Sequence, residues 1–465
     1  MIHCLLFLIM EFYNTLGRSK QEFKPIKEKE VGFYACGPTV YHYAHIGNLR
    51  SYIFMDLLNK TLELNGFKVN LVMNITDVGH LTDDADDGED KMEKGARREK
   101  KTVWDIADYY TDAFMDDIKK LNIKKPGVIC KATDHIDDQI NMVKEIEAKG
   151  FTYKTSDGVY FDTSRLKEYG ELMPNFNPGD LEGGKRVSLG DKKHVTDFAL
   201  WKFSKPGEKR QMEWDSPWGR GFPGWHIECT AMGCAFLGKK FDIHTGGIDH
   251  ITVHHTNELA QARASFGDKH ANYWLHNGHV LVNNEKMAKS SGKFIKISDL
   301  EGKGFSPLDY RYLTLQTHYR KRLNFTWESL ESARSARLKL KNKLSGLKQE
   351  VYEGGVSNNE YYDSFLSALN DDLNTSKALA VLQELIDSSI EGSVKKFLVL
   401  EFDKVLGLGL GEEDVVPEDV YELGLKREKA RELKNYEESD KLRKEIRKLG
   451  FEILDKKEGF EIKKL

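Results

Sequence analysis

The stretch that most restricts what this chain can become runs from Tyr34 to Arg50, YACGPTVYHYAHIGNLR. An apolar run, VGFYAC, enters it with the composition of a buried strand. Gly37 and Pro38 break the extended pattern, and from about Gly47 to Leu64 the residues Leu49, Ile53, Leu57 and Leu58 fall at helix spacing. Lys68 to Ile75, KVNLVMNI, then reads as a closing strand. Strand, turn, helix and strand in that order belong to a doubly wound parallel sheet with helices on both faces. Ligands of such sheets gather beyond the carboxyl ends of the strands, where Cys36 and Thr76 fall. The unpaired N–H groups of a helix start favour an anion there, and His42 and His45 lie in the same turn.

A chain of 465 residues has length for roughly three domains. Its net charge of −4 excludes binding of nucleic acid by global attraction but leaves room for local basic patches. Five cysteines, odd in number and scattered, make no disulfide framework, so a reducing cytoplasm is expected. Residues 1–10, MIHCLLFLIM, are too short to span a bilayer and lack the basic start and cleavage site of a signal peptide. We expect Met10 to be the working N-terminus, and no other window reaches transmembrane length.

Further along, Asp77 to Lys101 is polar and acidic and reads as a solvated loop. A calcium-loop register fails there, because Ala85 and Lys94 fall where ligands are needed. Trp104–Leu121 and His135–Lys149 read as amphipathic helices, and Phe151 to Phe203 changes to short strands and Gly/Pro/Asp turns, as an insertion would. From Pro307 to about Leu400 nearly everything is helical, with Thr326 a plausible N-cap. A Gly/acidic linker precedes a last unit, a basic helix from Lys426 to Lys448 and a hairpin over FEILDKKEGFEIKK. That helix carries ten lysines and arginines against six acids.

Two constellations carry chemistry. In HHTNE, His254 and Glu258 stand one helical turn apart on one face, a spacing that lets two side chains grip one ion. Cys36 and Cys229 are expected to add thiolates from neighbouring strand ends. A set of two cysteines, one histidine and one glutamate suits zinc, with sulfur at about 2.3 Å and nitrogen or oxygen at about 2.0–2.2 Å. Each cysteine taken alone is also accounted for as a small buried hydrophobe. His244, His250 and His255 compete for the imidazole role, but His255 points about 100° away from His254 on a helix. Cys234 lies on a stretch too apolar for a ligand pair. The second constellation is the loop Lys286-Met287-Ala288-Lys289-Ser290, whose lysines can neutralise charge migrating to a leaving pyrophosphate. With the histidine turn and the Gly246-Gly247-x-Asp249 turn it describes a nucleotide site, and no P-loop motif is present.

HIGN after CGPTVY, followed by KMAKS, resembles the two signatures of class I aminoacyl-tRNA synthetases. CGPTVY, NITDV, GWHIEC, FDIHTGGID, HHTNE and YWLHNGHV, in that order, resemble the cysteinyl-tRNA synthetase family, densely from about Met10 to Asn324. The resemblance implies one zinc ion held by Cys36, Cys229, His254 and Glu258, binding the substrate thiolate. It implies an amino-acid pocket formed by Cys36, Thr76, Trp225 and His254. ATP contacts follow at Pro38, Thr39, His42, His45, Gly47, Asn48, Gly246, Gly247, Asp249, Lys286, Met287, Lys289 and Ser290. Of these, His45, Asn48, Lys286 and Lys289 carry the catalytic charge, with magnesium accompanying ATP. The implied reaction joins L-cysteine to the 3′-terminal adenosine of tRNA(Cys) by way of an adenylate. A metal–sulfur bond escapes the roughly 10–200-fold limit of an apolar pocket, so no editing activity is expected.

The organisation implied is a Rossmann-like catalytic domain over 10–121 and 201–275 and a connective insertion over 122–200. The signature loop and stem-contact region take 276–310, a helical bundle 311–405, and a small anticodon-binding α+β unit 411–465. A monomer without membrane association is expected. Two departures from the family stand out: Asn48 where many class I enzymes have histidine, and VGHLTDDADDGEDK where a shorter aspartate-lysine motif is expected. The nearest rival is an ATP-dependent cysteine ligase acting on a small amine, against which the basic C-terminal unit argues.

Overall fold

Five parallel strands form the centre of the molecule: β1 (Glu30–Ala35), β2 (Lys68–Ile75), β3 (Val128–Lys131), β4 (Phe241–Gly247) and β5 (Ala271–Asn277). Their order is β5-β4-β1-β2-β3, so the chain reverses its winding at β1, with β4 on one side and β2 on the other. This is the expected doubly wound α/β sheet. The computed structural model describes residues 9–80, 90–173, 191–204, 207, 210–287, 294–347, 352, 354–356, 359–412, 416–456 and 459–464.

Alternation along the strands assigns the two faces. Phe33, Ala35, Leu71 and Met73 pack on one side with α1 (Ile46–Leu64) and α2 (Val103–Lys120). Tyr34 and Val72 pack on the other with α3 (Ile136–Ala148), α4 (Trp225–Leu237) and α5 (His254–Phe266). Helix α1 is buried nearly all round, from Ile46 through Leu62, which is why it shows no polar face. Buried Arg50 ties its first turn to the far side of the site, donating to the carbonyls of Gly278 (2.8 Å) and His279 (3.0 Å).

A separate four-stranded antiparallel sheet joins Thr152–Lys154, Gly158–Phe161, Phe198–Phe203 and Gly221–Pro223. The insertion thus differs from the expected 122–200 span. Val128–Lys131 hydrogen-bonds to β2 in the central sheet, and the small sheet runs on to Pro223. The acidic loop also differs. Residues 81–89 lie outside the described residues, but Lys91–Glu99 is a helix capped by Asp90, which accepts from the N–H groups of Met92 (2.7 Å) and Glu93 (3.0 Å). Met92 and Ala96 are buried beneath it.

Beyond the sheet, Trp327–Ser345, Glu360–Asn370, Thr375–Asp387 and Gly392–Leu406 form helices whose buried faces belong to the same core as α1. Arg311 joins the two parts, pairing with Asp56 at 2.6 Å and donating to Leu406 O (2.6 Å) and Leu121 O (2.8 Å). At the end of the chain the expected single basic helix is two, Glu418–Glu432 and Tyr436–Lys448, broken where Lys434 takes a positive φ of 58°. They pack with the hairpin Phe451–Asp455/Phe460–Lys464 around a small core of their own, Val420, Ile446, Phe451, Ile453 and Ile462. Among the described residues no helix is long and apolar enough to cross a membrane.

Candidate active site

Strand register builds the site at the winding switch. Past β1, the N–H of Cys36 donates to Thr245 O of β4 (3.3 Å), and on the other side Thr76 N donates to Pro38 O (3.0 Å) and Val40 N to Thr76 O (3.2 Å). A Cβ at position 37 would sit 1.5 Å from the Asn74 carbonyl oxygen, so only glycine permits this approach. Gly246 plays the same part opposite, where a Cβ would fall 2.7 Å from the His255 ring.

At the floor, Cys36 from the end of β1, Cys229 from α4, and His254 and Glu258 from α5 bring one donor atom each within 4.8 Å of one another. The two sulfurs are 3.8 Å apart, Cys36 Sγ lies 3.8 Å from Glu258 Oε1, and His254 Nε2 lies 3.1 Å from the same oxygen. Two thiolates bound tetrahedrally at about 2.3 Å lie about 3.8 Å apart, so the spacing and the donor types fit zinc.

His255 does not behave as helix geometry suggested. Its Nε2 is 3.3 Å from Cys36 Sγ and 3.9 Å from Glu258 Oε1, the same oxygen that His254 Nε2 approaches. His244 Nε2 is 2.8 Å from Glu258 Oε2, and Cys36, His244, His255 and Glu258 form a second set within the same 4.8 Å. The sets share Cys36 and Glu258. Cys36, Cys229 and His254 face the cavity described next, whereas His244 and His255 are not on its wall. The first set therefore has three of its four residues on the cavity wall and the second set one, Cys36. His255 is instead held from behind, its Nδ1 2.7 Å from His276 Nε2. Cys234 joins neither set.

Burial raises the Cys36 thiol and the Glu258 carboxyl well above their ordinary values and lowers the imidazoles of His254 and His255 well below theirs. For Cys229 the hydrogen bond with Cys36 pulls downward, but burial and the nearby carboxylates leave the thiol raised. Without a cation these groups are held neutral. A divalent ion would supply the charge that lets thiols and carboxyl ionise in so dry a place.

Above the floor opens a cavity of about 380 Å³. Thr76 and Trp225 line its lower wall, and Trp225 packs on His254 with ring centroids 4.5 Å apart. Pro38, Thr39, His42, His45, Gly47, Asn48, Gly246, Gly247, Asp249 and Met287 line the rest. His45 is the N-cap of α1: its Nδ1 accepts from Asn48 N (3.0 Å), and its own N–H donates to Asn48 Oδ1 (3.3 Å), a reciprocal capping box. His42 stacks on Tyr110, and Phe294 meets both histidines edge-on. The backbone of Lys286 ends a two-stranded ladder with Leu281, while Lys289 and Ser290 lie outside the described residues. A larger cleft of about 870 Å³ lies elsewhere, between α2 and the helix Gly392–Leu406, and contains none of these groups.

The sequence reading missed two side chains beside this cavity. Fully buried Glu228 accepts from Thr76 Oγ1 (3.0 Å) and pairs with His80 Nε2 (2.6 Å). The available signal was the position of Glu228 next to Cys229 on a helix whose first two turns are buried.

Residues 22–335 match the family described as "tRNA synthetases class I (C) catalytic domain", and residues 364–388 match the "DALR domain". The chain is 50% identical over 456 residues to cysteine--tRNA ligase 1 of Burkholderia lata, covering 97% of this chain and 96% of that one. It is 45% identical over 481 residues to cysteine--tRNA ligase of Treponema denticola, covering 96% and 98%. Among solved structures, Mycobacterium tuberculosis methionyl-tRNA synthetase in complex with methionyl-adenylate superposes with a TM-score of 0.58 at 14% identity, over 82% of this chain and 92% of that one. That last likeness speaks to the fold alone.

Proposed function

The chain belongs to the cysteine-type class I tRNA synthetases, and on that premise we propose how its cavity carries out cysteine–tRNA ligation. The enzyme activates L-cysteine with ATP and transfers it to the 3′-terminal adenosine of tRNA. The observation that carries the amino-acid assignment is the floor, where Cys36, Cys229, His254 and Glu258 converge within 4.8 Å beneath a cavity wide enough for an adenylate. These four residues would hold a zinc ion, which would supply a thiophilic site that favours cysteine's thiol over serine's hydroxyl or valine's methyl groups.

The chain's own residues account for the remaining work. Trp225, braced on His254, closes the amino-acid end against water. Because His45 Nδ1 accepts from Asn48 N, the ring proton resides on Nε2, which is a donor for phosphate oxygen. Asn48 spends its carbonyl oxygen on the His45 N–H, so its amide nitrogen is the group turned to the triphosphate. The substrate carboxylate attacks the α-phosphate, and Lys286 and Lys289 meet the charge passing to pyrophosphate, which leaves with magnesium. Asp249 and the Gly246-Gly247 turn hold the adenosine side. The 2′-hydroxyl of the terminal adenosine then displaces AMP. Neither step needs a covalent enzyme intermediate, and positioning with charge stabilisation carries the rate.

The unit with its own small core, from Val420 to Ile462, contacts the anticodon end of tRNA in this scheme, and the helices before it brace it on the catalytic body. Cysteine-dependent exchange of pyrophosphate into ATP, followed by charging of purified tRNA, tests the proposal. Exchange and charging with cysteine but not serine are expected, whereas exchange without charging would point to a small amine acceptor.

A further inference from the structure

We propose that Glu228 and His80 are positioning residues that fix Thr76 as a hydrogen-bond acceptor for the α-ammonium group of the substrate. The inference rests on the functional reading above and extends it to two residues outside the metal set.

The argument is one of donors and acceptors. Thr76 lines the cavity beside Cys36, Cys229 and Trp225. Its hydroxyl has one proton to give and two lone pairs to offer. Asn74 Nδ2 donates to Thr76 Oγ1 at 3.0 Å, and the orientation of that amide is set by its other end, where Oδ1 accepts from Gly37 N at 2.8 Å. One lone pair is therefore engaged. Glu228 Oε2, 3.0 Å away, accepts the hydroxyl proton. What remains is one lone pair on the cavity side, a place for a donor. Of the groups on a free amino acid bound by its side chain at the floor, the α-ammonium is the donor available.

Glu228 can play this part only if its own charge is met. It is fully buried, and a carboxylate so placed without partners is costly. His80 Nε2 stands 2.6 Å from Oε1, the opposite oxygen from the one that Thr76 uses. Asp77, the neighbour in sequence, is turned away and takes both hydrogen bonds of Thr133. The imidazole thus fixes the Glu228 carboxyl group behind the pocket, and the hold of that group on Thr76 reaches the substrate through a single hydroxyl. His80 lies within the segment where this chain departs from the family's aspartate-lysine pattern.

Calorimetric titration of the zinc-loaded protein with L-cysteine and with 3-mercaptopropionate, which keeps thiol and carboxylate but lacks the amino group, tests this. In His80→Leu the preference for cysteine over 3-mercaptopropionate should narrow about tenfold, the low end of what a partner behind a binding group costs. The loss should fall on cysteine alone, with zinc content and the KM for ATP unchanged. His80→Gln, which keeps an N–H donor, should recover most of it. An unmoved ratio, or equal weakening of both ligands, overturns the inference. Should His80→Leu fail to fold, Glu228→Ala, which removes the acceptor of the Thr76 proton, carries the same expectation and the same means of refutation. A wild-type protein without cysteine-dependent exchange would refute the functional reading instead, so the two failures are distinguishable.

Discussion

The floor and the rim of the cavity are built on different terms. The floor is dry: Cys229, His254 and Glu258 are 3%, 2% and 0% exposed, and their positions follow from strand ends and two packed helices. The rim is open. Asn48 is exposed, the Asp249 side chain is 62% exposed, and His42 and His45 are only half-buried, against Tyr110 and Phe294. A floor fixed by folding can discriminate among substrates by geometry set before any arrives. A rim open to solvent can follow charge that moves during the reaction, from the α-phosphate to pyrophosphate. In the proposed reaction, selection belongs to the first and rate to the second.

That division is sharpest under substitution. Cys229→Ser should lose bound zinc and cut cysteine activation by more than the roughly 10–100-fold cost of losing a partner behind a metal ligand. Metal analysis and pyrophosphate exchange check it. A variant that kept zinc and discrimination would show that Cys36, His244, His255 and Glu258 hold the ion instead. His45→Ala should act on rate, lowering kcat of activation by about 10²-fold, as loss of one preorganised donor does, with cysteine affinity by calorimetry unchanged. If cysteine affinity fell instead, floor and rim would not be separable. Truncation before Pro417 should leave both untouched, sparing exchange and lowering charging at limiting tRNA by on the order of tenfold, about 1.4 kcal/mol of lost contact.

The same contrast governs what was legible in the sequence. Cys36 could be placed because a strand leads into a glycine turn, and His254 with Glu258 because i and i+4 share a helix face. The approach of His255 to Cys36 was not legible, because helical spacing says which way a ring points but not what another strand puts there. Glu228 and His80 meet across 148 positions of chain, and no local pattern announces such a pair. The helix Lys91–Glu99 was readable in principle, since Asp90 followed by Glu93 has the spacing of a helix start, but its density of charge resembled a solvated loop. The break at Lys434 had its signal in Asn435, whose side chain accepts from Glu438 N at 3.2 Å to start the next helix.

The smallest expected effect lies behind the floor. Asp77 is 2% exposed, and burial raises its carboxyl to about 6 from 3.8, against the pull of its hydrogen bonds from Thr133. The folded state thus holds a proton that the unfolded chain releases at lower pH. The stability this contributes is fully present below pH 3.8, is lost progressively as pH rises toward about 6, and changes no further above it. Other carboxyl groups titrate over the same range, so the measurement is a difference between two proteins. Asp77→Asn cannot ionise, and its melting temperature relative to wild type should climb between pH 4 and 6 and then level off. A flat difference for Asp77→Asn would mean that water reaches the carboxyl, and that the dry floor ends at the metal ligands rather than extending to the layer beneath them.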